Sequence, residues 1–263
     1  MRFAKLLSGF EDLFFKNHSC LSCRREIPDG TEFSLCKKCF EEIDLLKGNL
    51  CMVCGDDVLE NNLFCDRCKN NNYCFDESKS FAVYEGVASK LVKRFKYSGK
   101  KYYAKYLAQL MILNKSYFEN VDLITFVPVG IKRRKERGFN QAEELAREIG
   151  KLANISVVDT LEKLGSERHQ AGLSQIERQK NLSGTFKLKE DTVSILKNKN
   201  VLLIDDVFTT GATLSECSKI LKSAKKNKPA KICCYTFAKT KLISTNNGYF
   251  QQKNLVESKT KSN

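Results

Sequence analysis

The sequence predicts an α/β protein, a mostly parallel sheet flanked by helices, preceded by a small cysteine-rich domain. Three observations carry this. Residues 201–204, Val-Leu-Leu-Ile, are four apolar residues in a row, and the run at 121–127 is largely apolar and β-branched, as expected of parallel strands buried on both faces. Segments with apolar residues at helical spacing lie between such runs, the βα alternation of a parallel sheet. Nine of the 12 cysteines fall before residue 75, so the first part of the chain needs an explanation of its own.

In residues 1–18, Phe3, Leu6, Leu7, Phe10, Leu13 and Phe14 recur at spacings of three and four, which reads as an amphipathic helix docked on its own protein. Glu11 and Asp12 interrupt the apolar run and no cleavage site follows, so the segment does not read as a signal peptide. No apolar run is long enough to span a bilayer. Stable membrane insertion is not expected, and the expected location is cytoplasmic.

Residues 19–72 carry four Cys-x-x-Cys knuckles: Cys20 and Cys23, Cys36 and Cys39, Cys51 and Cys54, Cys65 and Cys68. Each knuckle offers two thiolates from one turn, and two knuckles close a tetrahedral site with no position left for chemistry, so two structural zinc ions are expected. The intervals of 12 and 10 residues favour pairing consecutive knuckles as a repeated ribbon, with residues 40–46 as a connecting helix. His18 and Cys74 remain outside the ligand set.

After the polar linker at 69–72, a second domain is expected over 78–240. Residues 81–84 read as a strand, and 87–97 and 102–113 as helices. Lys93, Arg94, Lys96, Lys100 and Lys101 make this stretch strongly basic. The run at 121–127 ends in Pro128-Val129-Gly130, a ligand loop at a strand end. The cationic run 132–137 then precedes Asn140, a helix cap, and Ala142, Leu145, Ala146, Ile149 and Leu152 give the next helix its buried face. Residues 165–184 form a long polar loop, with Arg168, His169, Gln170, Arg178 and Asn181 as groups able to cover a pyrophosphate.

The most informative stretch is 201–213. Asp205 and Asp206 fall at the carboxyl end of the strand, where open α/β sheets bind ligands. Thr209, Thr210, Gly211, Ala212 and Thr213 then turn the chain into a helix whose free N–H groups and hydroxyls can hold a phosphate. Two carboxylates beside a phosphate cradle suit ribose hydroxyls or hydrated Mg²⁺. The pattern implies a phosphorylated sugar. No G-x-x-x-x-G-K-[ST] occurs, which excludes a Walker phosphate loop. A helix to about residue 224, a strand at 232–237 and a polar, poorly ordered tail over 241–263 complete the chain. The net charge of +14 favours polyanionic partners.

The 201–213 segment resembles the phosphoribosyl pyrophosphate (PRPP) signature of type I phosphoribosyltransferases. Together with the paired knuckles, Arg137-Gly138-Phe139-Asn140-Gln141-Ala142, and Gln170-Ala171-Gly172-Leu173-Ser174 with Arg178 and Asn181, it is similar to the ComF family, associated with competence. The resemblance implies a double zinc ribbon before a type I phosphoribosyltransferase fold. It implies PRPP binding with Mg²⁺ at Asp205, Asp206 and the 209–213 turn, with Asp205, Asp206, Arg137 and Arg168 as the catalytic candidates. It further implies a role in DNA uptake, with single-stranded DNA and a DNA-translocating helicase as partners. The rival reading is a non-catalytic PRPP- or phosphate-binding accessory protein that contacts DNA or the helicase. The chain departs from the family pattern at Val129-Gly130 and at residues 165–167. Removing either acid is expected to abolish PRPP binding with little change in ligand-free melting.

Overall fold

The computed structural model describes residues 19–59, 62–70, 72–164, 184–245 and 248–251. The expected helix over 1–18, His18 and the loop residues Arg168, His169, Gln170, Arg178 and Asn181 lie outside the described residues.

The cysteine-rich part is a repeat. Knuckles at Cys20 and Cys51 are each closed by a backbone N–H four residues on, from Arg24 to Cys20 (3.0 Å) and from Gly55 to Cys51 (2.8 Å). Both closing residues have positive φ, 69° and 67°. Matching antiparallel bridges, Ser19 with Glu26 and Leu50 with Asp57, flank the two knuckles. The second knuckle of each unit opens a short helix, α1 (Lys37–Glu41) and α2 (Asp66–Asn70). The connecting helix expected at 40–46 is therefore displaced. It starts directly after Cys36 and ends at Glu41, because the following chain extends to bridge Leu45 to Ala82.

The second part begins with β1 (Glu77–Val83), then α3 (Gly86–Tyr97), α4 (Tyr103–Met111), β2 (Leu123–Phe126), α5 (Ile131–Arg137) and α6 (Gln141–Ala153). A small antiparallel pair, β3 (Leu161–Lys163) and β4 (Phe186–Leu188), brackets the undescribed loop. Then come β5 (Asn200–Phe208), α7 (Ala212–Lys222), β6 (Lys231–Lys239) and a hairpin of β7 (Leu242–Thr245) and β8 (Gly248–Gln251). Within the tail expected to be polar and poorly ordered, the described residues 242–245 and 248–251 pair as this hairpin.

Among the described residues the main sheet is parallel throughout, in the order β1-β6-β5-β2. Beyond β2, Ser156 and Val158 hydrogen-bond both sides of Ile124, continuing the sheet by one bridge. The apolar runs are buried as a parallel sheet requires: Val201, Leu202, Leu203 and Ile204 in β5, and every residue of β2. α3 packs Val87, Ala88, Leu91, Val92 and Phe95 inward, and α6 packs Ala142, Leu145, Ala146 and Ile149. Leu152 leaves the expected stripe and is exposed, since α6 ends one residue later in a left-handed Asn154.

The ribbon and the sheet share one core. Val83 N–H donates to Asp44 O (2.7 Å) and Ser78 N–H to Val53 O (2.6 Å), so the ribbon covers the free edge of β1. No helix among the described residues is long and apolar enough to cross a membrane.

Candidate functional site

The site follows from where β2 stops. Its last residue, Phe126, pairs with Ile204, and Val127 N–H still reaches Ile204 O (3.0 Å) before Pro128 peels the chain away. β5 runs on four more residues, to Phe208, paired among the described residues with β6 alone. Asp205 and Asp206 thus sit on a strand that has lost one neighbour, and a cavity of about 180 Å³ opens beside them. Pro128, Arg133, Arg137, Lys163 and Thr213 line it with Lys96.

Of the residues singled out from sequence, the structure brings Asp205, Asp206, Thr213, Arg133 and Arg137 to this cleft. Arg134 is drawn away to Glu143 (3.6 Å) on the outer face of α6. The cationic run forms one short helix, α5, ended by Gly138 at φ 80°. Asn140 caps α6 by accepting from Ala142 N (3.1 Å), and its amide donates to Val127 O (3.0 Å), tying the cap to the strand end. Arg137 donates to Gln141 Oε1 (3.1 Å), which aims its guanidinium along the cleft.

The turn from β5 to α7 has the geometry of an anion site. Gly211 adopts φ 78° as the residue before α7, and a Cβ there would lie 2.7 Å from the Phe208 ring and 3.0 Å from that of Tyr73, so only glycine fits. Thr210 Oγ1 accepts from Ala212 N (3.4 Å). The N–H groups of the first helical turn have no acceptor within the helix itself, and the helix dipole there favours negative charge.

Lys96 is the site residue that sequence reasoning missed. It was read as part of a basic surface, but its Nζ lies 2.9 Å from Asp206 Oδ1 in a nearly buried pair. The signal was present: Lys96 is four residues after Val92 on the buried stripe of α3, and a cation on a buried stripe requires an anion nearby. Burial works against the Lys96 charge, but Asp206 outweighs it and raises the ammonium above its ordinary value.

Lys96 leaves Asp205 as the acid of uncertain charge in the pair. Its Oδ1 accepts from Asp206 N (2.8 Å), but burial and the adjacent Asp206 push its carboxyl up to about 7. The unfolded carboxyl releases its proton at about 3.9. Between those values the folded chain holds a proton that the unfolded chain does not, so stability falls as pH rises through that window. Asp205→Asn is therefore expected to raise the melting temperature of the ligand-free protein at pH 8, and to raise it less at pH 5, where only part of that loss has accrued. Thermal melts at the two pH values check this, and an equal effect at both would remove the titration of Asp205 as the cause.

The cysteines gather as two clusters, Cys20, Cys23, Cys36, Cys39 and Cys51, Cys54, Cys65, Cys68, with all four sulfurs of each within 4.8 Å of one another. Cys23 and Cys36 sulfurs are 3.7 Å apart, and Cys54 and Cys65 sulfurs 3.6 Å. Zn–S bonds of about 2.3 Å in a tetrahedron place sulfurs about 3.8 Å apart. These spacings are zinc-site edges rather than thiol hydrogen bonds, and both clusters fit structural Zn²⁺.

A double zinc ribbon domain model matches residues 11–69, and a phosphoribosyl transferase domain model matches residues 112–259. Competence protein F of Haemophilus influenzae is 28% identical over 79% of this chain and 92% of its own length. The DNA utilization protein YhgH of Escherichia coli K12 is 25% identical over 77% and 89%, and competence protein ComFC of Bacillus subtilis 23% identical over 78% and 84%. The chain belongs to the phosphoribosyltransferase domain family and, with its paired zinc ribbon, to the ComF family within it.

Proposed function

We propose that the chain binds PRPP with Mg²⁺ in the cleft beside β5 and acts in DNA uptake. The observation that supports this most is the adjacency of a glycine-bedded helix N-terminus to two carboxylates and two arginines around one cavity. In this reading the N–H groups and hydroxyls of Thr209, Thr210, Gly211, Ala212 and Thr213 hold the 5-phosphate. Asp205 and Asp206 accept from the ribose hydroxyls. Arg133 and Arg137 face the pyrophosphate, where their fixed forks match phosphate oxygens. Arg168 belongs to the same proposal as a pyrophosphate ligand from the undescribed loop. The donor set suits Mg²⁺: two hard carboxylates are crowded together, with Lys96 alone paired to them among the described residues, so a second cation relieves the charge on Asp205. Asp205 and Asp206 would hold that ion, and it would supply charge neutralisation for pyrophosphate.

Calorimetry of PRPP with and without Mg²⁺ tests the reading. Heat at a one-to-one ratio, larger with Mg²⁺, is the expected result, and no heat under either condition rejects it.

A direct contact with single-stranded DNA is the second reading, supported by the surface of α5 and α3. Lys132, Arg133, Arg134 and Lys135 are exposed, and Tyr97 is 73% exposed with the Arg137 guanidinium 5.6 Å from its ring centre. Cations beside an exposed aromatic face suit a sugar-phosphate strand with stacked bases. Log affinity should fall with log salt at about 0.7 per phosphate neutralised, and alanine at Lys132, Arg133 and Lys135 should make the slope shallower. Fluorescence anisotropy at two salt concentrations reads this. No binding at low salt assigns the DNA to a partner such as the helicase.

A further inference from the structure

The phosphate-binding turn does not rest on the sheet alone. Beneath it lie Tyr73, from the short segment leaving the ribbon, and Phe208, the last residue of β5. The Tyr73 hydroxyl donates to Thr210 O (2.9 Å). Because the Thr210–Gly211 peptide is trans, fixing its carbonyl on Tyr73 turns the Gly211 N–H to the opposite side, away from the ribbon and towards the concave face of the turn. One residue on, Cys74 N–H donates to Ser215 Oγ (3.0 Å) in the first turn of α7, a second staple at the same place. The Tyr73 ring is stacked on Phe75 at 4.7 Å, and Phe75 meets Phe208 edge-on at 6.3 Å.

Below these rings is the second zinc cluster. Arg67 stands between the ligands Cys65 and Cys68, is 2% exposed, and places its guanidinium 6.0 Å from the Tyr73 ring centre and 5.6 Å from that of Phe208. Its Nη2 lies 2.6 Å from Asp56 Oδ2, and Asp56 follows the ligand Cys54 by two residues. The other Asp56 oxygen holds Lys239 Nζ (3.1 Å), which also donates to Cys54 O (2.8 Å) and lies 3.9 Å from the Phe208 ring centre. Lys239 is itself buried, at the end of β6. A zinc ion with four thiolates carries a net charge of about −2, and two buried cations beside it are the complement such a centre requires. The first cluster has different neighbours: Arg94 of α3 donates to Leu21 O beside it.

We infer that the second Cys₄ centre positions the phosphate-binding turn, through Arg67 and Asp56 to Phe208 and Tyr73 and so to the Thr210 carbonyl, with zinc there and phosphate in the turn binding with positive coupling. The inference rests on the PRPP reading above. Tyr73 is a positioning residue in it, touching the backbone of the turn rather than the ligand. Linkage makes the coupling reciprocal: a ligand held better with zinc present must also hold that zinc better.

Two measurements on the full zinc-loaded chain decide the matter. Tyr73→Phe keeps the ring and deletes one neutral hydrogen bond, so PRPP and inorganic phosphate should bind about five- to tenfold more weakly by calorimetry. In the wild type, saturating PRPP should slow the transfer of one of the two zinc ions to a chromogenic chelator, and should leave the other unaffected. In Tyr73→Phe that protection should shrink. Unchanged affinity in Tyr73→Phe, or zinc release indifferent to PRPP in a wild type that binds it, overturns the inference alone. A wild type that binds neither PRPP nor inorganic phosphate overturns the ligand reading and the inference with it.

Discussion

Asp206→Ala is expected to destabilise the ligand-free protein by about 2 to 4 kcal/mol and to remove PRPP binding altogether. From sequence, loss of either acid should leave ligand-free melting nearly unchanged, since both carboxylates end a strand whose apolar residues remain. The position of Lys96 alters that expectation for Asp206. The residue is 8% exposed, and its carboxylate meets Lys96 Nζ at 2.9 Å. Without it a nearly buried ammonium loses its contact carboxylate and keeps Asp205, whose charge burial still opposes. The double variant Lys96→Met with Asp206→Ala separates the two effects. It removes both charges and fills the volume with an apolar side chain, which in buried pairs is close to neutral for stability. Melting should therefore recover while PRPP binding does not, because the ribose acceptor is still missing. If Asp206→Ala melts with the wild type, Lys96 reaches water and the pair contributes nothing to the fold.

The strands and the cluster pairing were legible because their signals are local. Four apolar residues before two acids can form little else, and knuckle spacing is a direct statement of which sulfurs share a turn. Asn140 as a cap and Gly211 as the pivot of the turn were legible for the same reason, each being a residue type that one backbone geometry demands. What could not be read depends on contacts between distant segments. Lys96 and Asp206 are far apart in the chain, so their pairing shows only as an unexplained lysine on a buried stripe. Lys239 and Arg67 were lost in a background of 45 lysines and arginines. The linker was read as a spacer from its asparagines, yet the residues just after it, Tyr73 and Cys74, dock on the turn that opens α7. The misplaced helix at 40–46 has the same origin. Its sequence permits a helix, and the edge of β1 takes that segment as an extended partner instead.

Stripping zinc is expected to lower the melting temperature of the whole chain by at least about 10 °C, in one transition, rather than to unfold the ribbon alone. Metal analysis of the purified protein should first give two zinc ions per chain, one for each cluster. Structural zinc in such sites contributes on the order of 10 kcal/mol of binding free energy, most of which the fold loses when the sulfurs separate. If the ribbon and the second part were independent, Cys20→Ser would loosen the ribbon and spare the rest. They share a core: Leu21, Ile27, Leu35 and Ile43 of the ribbon belong to the same buried cluster as Val87, Leu91 and Phe95 of α3. The ribbon also satisfies backbone groups of β1 at Ser78 and Val83, and a β1 left without it would expose an unpaired parallel-sheet edge. Loss of either metal therefore withdraws support from β1 and α3, and through β6 from the strand that carries Asp205. Calorimetric melts with and without a chelator distinguish the cases. Two transitions, of which the upper ignores the chelator, would show that the phosphoribosyltransferase part stands by itself and that the shared core contributes little.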